Sequence, residues 1–282
     1  MNTSDLQPND CGLVLAAHGA RDQRTVDAAY EQASMISERL PHVPIETGFL
    51  EFTRPTIAEA IAHMATRGVS EMVLVPLFLA AGAHVGRDLP AIVREGRARY
   101  GDAALRLTPH VGAHTALLAG PTDAIDGLTD TTRSITEAPK PTGTVAWDKS
   151  RDDSASPNAF GIVLLAHGSR RGSAIDETRR LAEQLAIRVG AARHACGFLA
   201  MGEPRADAVL RDAAAWPVGR VIVHGHLLFP GRMIDTVDQL VEAMRTKNPD
   251  RAWHRTGPLG PSEGIARAAS ELFTDHSGKP VA

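Results

Sequence analysis

Cysteine is nearly absent from this chain of 282 residues, which has only Cys11 and Cys196. Two thiols cannot make a disulfide framework, and without a CxxC there is no zinc ribbon or iron–sulfur ligand set. Long apolar runs are also lacking. The longest, residues 72–83, contains Pro76 and is too short to cross a bilayer. The opening MNTSDLQPND has neither a basic start nor an apolar centre, so it does not read as a secretory leader and a cytoplasmic location is expected. There is no excess of basic charge: the net value of −3 argues against a nucleic-acid surface. GxxxxGKS/T, GxGxxG and GxSxG are all missing, which removes ATP coupling, the usual dinucleotide cradle and the serine-hydrolase nucleophile elbow. What is present, 43% hydrophobic and 22% charged residues, is ordinary for a globular protein, and the length suits two domains.

The chain repeats itself. Leu13–Arg21 (LVLAAHGAR) and Ile162–Arg170 (IVLLAHGSR) agree at six of nine positions, offset by 149 residues. The same offset pairs Gly48-Phe49-Leu50 with Gly197-Phe198-Leu199, Pro55 with Pro204, Gly82 with Gly231 and Pro109 with Pro258. Several landmarks in one register indicate a tandem duplication. The reading divides the chain into residues 1–128, a linker over 129–159 rich in Thr, Ser, Asp and Pro with Trp147 inside it, and residues 160–282.

Within each copy strands and helices alternate. Strands are expected at 13–17, 44–52, 72–79 and 104–109, with helices at 22–40, from Pro55 to about 66, at 84–99 and from about 113. The second copy repeats the strands at 161–166, 192–199, 220–227 and 252–256. Serial βα units predict an α/β fold, with a parallel, helix-covered sheet of about four strands in each half. Ligands of such sheets bind beyond the carboxyl ends of the strands.

Three such ends in the first copy carry metal-capable side chains: His18, Glu51 and His84, spaced 33 and 33 residues apart. A 2-1-3 strand order would bring them together as a metal or acid–base site, and two imidazoles with a carboxylate suit Co²⁺, Ni²⁺, Fe²⁺ or Zn²⁺. The second copy keeps His167 but has Ala200 and Met233 at the other two places, so one complete centre is expected, in the first half. His224 and His226 lie on or just after the third strand of the second copy.

Ala17-His18-Gly19 with Arg21, Gly48-Phe49-Leu50-Glu51, Pro55, Val75–Leu79, Gly82, His84, Asp88 and Pro90 form an ordered set covering nearly all of the first half. This set resembles the class II tetrapyrrole chelatases that insert cobalt or iron into sirohydrochlorin, in their long, two-lobed form. The resemblance implies two chelatase-like lobes facing a cleft, with His18, Glu51 and His84 at the metal and in catalysis. The divalent metal, Co²⁺ or Fe²⁺, would be substrate, with no organic cofactor. Asp88, four residues after His84, would orient its imidazole. The carboxylates of the macrocycle require cationic partners, and Arg21, Arg54, Arg87, Arg170 and Arg232 stand beside strand ends. Cobalt insertion for cobalamin biosynthesis is the favoured expectation, ahead of iron insertion for siroheme and of a non-catalytic metal or tetrapyrrole carrier. The duplication removes the need for a dimer, so a monomer without nucleic-acid or membrane partners is expected. A histidine-phosphatase reading of Leu13–Gly19 fails, because Ala17 and Ala166 stand where that chemistry wants an arginine.

Overall fold

The computed structural model describes residues 11–102, 104–130 and 156–277. The first repeat comprises β1 (Cys11–Ala17), α1 (Gln23–Arg39), β2 (Ile45–Phe49), α2 (Ile57–Thr66), β3 (Glu71–Pro76), α3 (Leu89–Tyr100), β4 (Leu105–Leu107) and α4 (Ala119–Asp130). The second comprises β5 (Ser156–Gly168), α5 (Gly172–Val189), β6 (Arg193–Met201), α6 (Ala206–Ala213), β7 (Val218–His226), α7 (Arg232–Lys247), β8 (Ala252–Thr256) and α8 (Glu263–Ser277). Each repeat forms a four-stranded parallel sheet, ordered β2-β1-β3-β4 and β6-β5-β7-β8. This is the duplicated α/β architecture expected from the sequence.

The central strands explain the order. All seven residues of β1 are buried, with Leu13 and Leu15 facing one core cluster and Val14 and Ala16 the other. A strand apolar on both faces is stable only between neighbours and under helices on each side. Local signals then start the helices. The Asp22 carboxylate accepts from the Arg24 backbone N–H at the head of α1. At α2, Thr56 and Glu59 form a reciprocal capping box, with Thr56 N–H donating to Glu59 at 2.7 Å and Glu59 N–H to Thr56 Oγ1 at 3.2 Å.

Several boundaries differ from the sequence reading. α2 begins after Thr56 rather than at Pro55, because the capping box satisfies the end there. β3 ends at Pro76; Leu77 N–H still donates to Ala16 O at 2.9 Å, and Phe78 lies beyond the strand. The expected helix at 84–99 opens with a π-helical turn, His84–Asp88. Two 3₁₀ turns, Val111–Ala113 and Thr115–Leu118, precede α4, which runs two residues into the expected linker. β5 starts at Ser156, also inside that linker, where Ser156 pairs with Val218. Trp147 and the remainder of the linker lie outside the described residues.

The last helix of each repeat packs on the other repeat's sheet. Ile265, Ala269, Leu272 and Phe273 of α8 join Leu13, Leu15, Val73 and Val75 in one core, while Ile125 of α4 joins Ile162, Leu164 and Ile222 in another. Packing thus exchanges the final helices between the two repeats. Polar contacts reinforce the joint. Buried Gln32 donates to Ser262 O at 3.1 Å and accepts from Ser262 N–H at 2.8 Å. Thr25 donates to Pro230 O at 2.7 Å, and Arg24 bridges Asp22 and Asp235 at 2.7 and 2.6 Å.

Candidate active site

The carboxyl ends of β1, β3, β5 and β7 face one another across a cleft of about 740 Å³ between the repeats. Its walls include Ala17–Asp22 and His84 from the first repeat, and His167–Arg171 and His226 from the second.

His18 leaves β1 through Gly19, whose φ of +85° is a conformation glycine tolerates. A Cβ there would lie 1.9 Å from Glu51 O, so the loops after β1 and β2 close too tightly for any side chain. The Glu51 N–H donates to His18 O at 3.0 Å, which tethers the two loops through their backbones. His84 comes from the π-helical turn beyond β3, an irregularity that often marks functional positions. The His18 and His84 rings meet edge to face, with centroids 4.7 Å apart and planes at 88°.

Hydrogen bonding fixes the available nitrogen on each ring. His84 Nδ1–H donates to Asp88 Oδ2 at 2.9 Å, and His18 Nδ1–H donates to Gly19 O at 3.1 Å. Both acceptors lack a proton, so each imidazole keeps its unshared pair on Nε2. The Asp88 carboxyl is held below the usual carboxylate range, first by the hydrogen bond from Arg87 Nε at 2.7 Å and then by His84. An ionised partner on Nδ1 fixes the ring's tautomer and orientation and leaves Nε2 for a ligand.

Glu51 does not complete this pair. Its side chain is exposed and absent from the cleft lining. Among the described residues, no three His, Cys, Asp or Glu side chains converge tightly enough to hold one ion. Sequence spacing brought the three chain positions near one another, but the backbone tether orients the β2 loop without sending its carboxylate inward.

The arginines divide in the same way. Arg21, Arg170 and Arg232 line the cleft. Arg54 is 81% exposed and paired with Glu59, while Arg87 is 74% exposed and engaged with Asp88, so neither is part of the wall. Arg171, which the sequence reading missed, lines the cleft and lies against the π-helical turn. A Cβ on Gly86 would stand 2.1 Å from Arg171 Nη1. Four arginines against the single carboxylate of Asp22 make this wall cationic in a chain whose net charge is negative. The signal for Arg171 was the doubled Arg170-Arg171 beside a strand end.

Phe52 was also missed. It is 59% exposed with φ of +62°, a rare conformation for a bulky side chain. Its ring stacks near His18 at 6.4 Å and 21°, with the Arg21 guanidinium 5.0 Å from its centroid. Phe78 packs on the other side, 6.2 Å from both His18 and His84. In the second repeat, His167 reproduces the His18 pose, with Nδ1 to Gly168 O at 3.0 Å, and Met233 lines the cleft where the first repeat has His84. His226 reaches the cleft wall; His224 does not.

The cleft is built by tandem α/β lobes, with His18 and His84 just beyond the carboxyl ends of the neighbouring strands β1 and β3. The CbiX family profile matches residues 12–125 and again 161–276, and the chain belongs to that family. A protein named sirohydrochlorin cobaltochelatase from Methanococcoides burtonii is 36% identical over 83 residues, 29% of this chain and 63% of that protein. The chain thus spans less than two thirds of that relative. One of the same name from Saccharolobus solfataricus is 33% identical over 101 residues, 34% of this chain and 77% of that protein. Among solved structures, SirB from Bacillus subtilis with Fe³⁺ superposes with a TM-score of 0.74 at 17% identity, covering 95% of this chain and 96% of SirB. A CbiX described as the terminal enzyme of siroheme biosynthesis in denitrifying bacteria gives 0.62 at 22% identity, covering 94% and 99%. Both likenesses concern the fold. Among the described residues, no helix is long and apolar enough to cross a membrane.

Proposed function

We propose that this chain inserts a divalent metal, with Co²⁺ favoured, into sirohydrochlorin, without ATP, in cobalamin biosynthesis. The observation carrying this reading is the His18–His84 pair, with both Nε2 lone pairs free, at a cleft ringed by Arg21, Arg170, Arg171 and Arg232. The name carried by the Methanococcoides burtonii and Saccharolobus solfataricus relatives supports the substrate and the metal.

Insertion needs an ion held by exchangeable ligands and the removal of two pyrrolic protons. Two imidazoles with free Nε2 atoms hold a borderline ion with open positions, and the same nitrogens can take up the pyrrolic protons once the ion has moved on. Asp88 keeps His84 in the tautomer that does both. Guanidinium forks bind the peripheral carboxylates of the macrocycle and place one face over the histidines. Phe52 and Phe78 offer flat apolar surface beside the same ring pair. Glu51, outside the pair, is left out of the ligand set. Both lobes and the exchanged helices belong to one chain, which favours a monomer.

The test is turnover. At substoichiometric protein, anaerobically, the macrocycle's visible spectrum follows Co²⁺ or Fe²⁺ insertion. Many cycles above the spontaneous rate support the enzyme, and the faster ion identifies the metal. Conversion that stops at one equivalent of protein rejects catalysis and leaves a carrier.

A further inference from the structure

A second cavity of about 240 Å³ adjoins the cleft, between the 3₁₀ turns and Pro121 at the head of the exchanged helix α4, helix α5, and the central strands β5 and β7 of the second sheet. His224 and His226 form part of its wall, together with His114, Glu177, Leu164 and Leu181. The alternation of β7 places Ile222, His224 and His226 on the face covered by α4 and α5, while Val221 and Val223 face the opposite core. Two imidazoles are therefore buried on a face otherwise built of Ile162, Leu164 and Ile222.

Buried polar atoms normally find partners, and these do not. His224 Nδ1 shares a hydrogen bond with Thr256 Oγ1 at 2.7 Å, but His224 Nε2 and His226 Nδ1 have no hydrogen-bond partner among the described residues. Burial keeps both rings in the neutral form. A neutral imidazole in an apolar wall suits borderline divalent transition ions, which bind nitrogen well, and suits Mg²⁺ or Ca²⁺ poorly. The separation fits as well. With metal–nitrogen bonds of about 2.0–2.1 Å, one ion shared by two imidazoles needs ring centroids roughly 5–6 Å apart. Here they are 5.8 Å apart, tilted by 55°.

We propose that His224 and His226 form a second binding site for a divalent transition-metal ion, in the cavity adjoining the cleft. With no third protein ligand converging among the described residues, water completes the shell, so the ion is held exchangeably. His226 borders both cavities, together with Leu79 and Thr178, so the proposed ion lies next to the cleft holding His18 and His84. The site stands on its own geometry, whether or not the cleft inserts metal.

The experiment removes the cleft imidazoles from the full chain with His18→Ala, His84→Ala and His167→Ala together. Co²⁺ alone is then titrated by equilibrium dialysis and by its visible ligand-field absorption. About one equivalent of Co²⁺ is expected to remain bound, and adding His224→Gln or His226→Gln should abolish it while circular dichroism stays unchanged. Should either glutamine variant fail to fold, anomalous diffraction from Co²⁺-soaked crystals of the triple variant decides. A peak between His224 Nε2 and His226 Nδ1 supports the site. No retained Co²⁺, an equivalent that survives both glutamine substitutions, or a peak elsewhere overturns it. Failure here leaves turnover through His18 and His84 untouched, and loss of turnover leaves this binding untouched.

Discussion

Replacing Asp88 by Asn changes one atom in the site and tests how His84 is poised. In the wild type, Asp88 Oδ2 accepts from His84 Nδ1–H at 2.9 Å while Oδ1 accepts from Arg87 Nε–H at 2.7 Å. Asparagine has the same shape but a single acceptor oxygen. If that oxygen faces His84, the amide NH₂ meets the Arg87 donor, and the bond to His84 loses its charge assistance, roughly half its strength. If the oxygen faces Arg87, the NH₂ donates to His84 Nδ1 and the imidazole proton moves to Nε2, where it blocks the metal. Either arrangement weakens the ion's hold. Loss of a carboxylate that orients a metal-binding histidine typically reduces metal affinity or activity about 10- to 100-fold. Co²⁺ affinity by competition with a chromophoric chelator, alongside the insertion rate, reads this directly. Thermal stability serves as the control and should change little, because the substitution keeps the side chain's shape at a part-buried position. Asp88→Asn binding Co²⁺ within about twofold of wild type would refute the claim that Asp88 sets the His84 tautomer.

Further outcomes follow from the same geometry. Gly19→Ala forces a side chain into positive φ and against Glu51 O, at a cost of at least about 1–2 kcal/mol, so urea midpoints should fall and metal binding at His18 weaken together; an unchanged midpoint contradicts the close approach. Phe52→Ala should raise the KM for the macrocycle roughly 2- to 10-fold, about 0.5–1.5 kcal/mol of ring contact, and leave Co²⁺ affinity intact; an unchanged KM removes Phe52 from substrate contact. Burial pushes the Cys196 thiol up to about 12, so it stays protonated at pH 8, and Cys11 is buried out of reach of reagent, so both should resist iodoacetamide until the chain is unfolded. Rapid labelling of either in the folded protein would contradict this packing.

How much of this was legible depended on how local the cause was. The apolar run of β1 followed by His18-Gly19, and the i,i+4 spacing of His84 and Asp88, are short-range patterns that backbone geometry converts directly into position. The strand order that unites His18 with His84 was an assumption from βα topology, and the sheet has it. The exchange of α4 and α8 was not legible, because the apolar stripe of a helix declares that it must be covered and not which sheet covers it. Side-chain direction was the other gap. Glu51, Arg54 and Arg87 sit beside strand ends in sequence, yet a backbone tether turns the Glu51 loop and nearby partners, Glu59 and Asp88, hold the two arginines outside. Arg171 and Phe52 enter through contacts with Gly86, His18 and Arg21 that no periodicity announces.

The central claim is that the reacting centre is the His18–His84 pair and not its counterpart in the second repeat. Its most direct measurement is the steady-state rate of Co²⁺ insertion into sirohydrochlorin by His18→Ala, His84→Ala and His167→Ala, compared with wild type under the same anaerobic conditions. The account predicts that the first two substitutions reduce the rate to the spontaneous background while His167→Ala keeps multiple turnovers. A rate lost only with His167→Ala, or retained in both first-repeat variants, would contradict it.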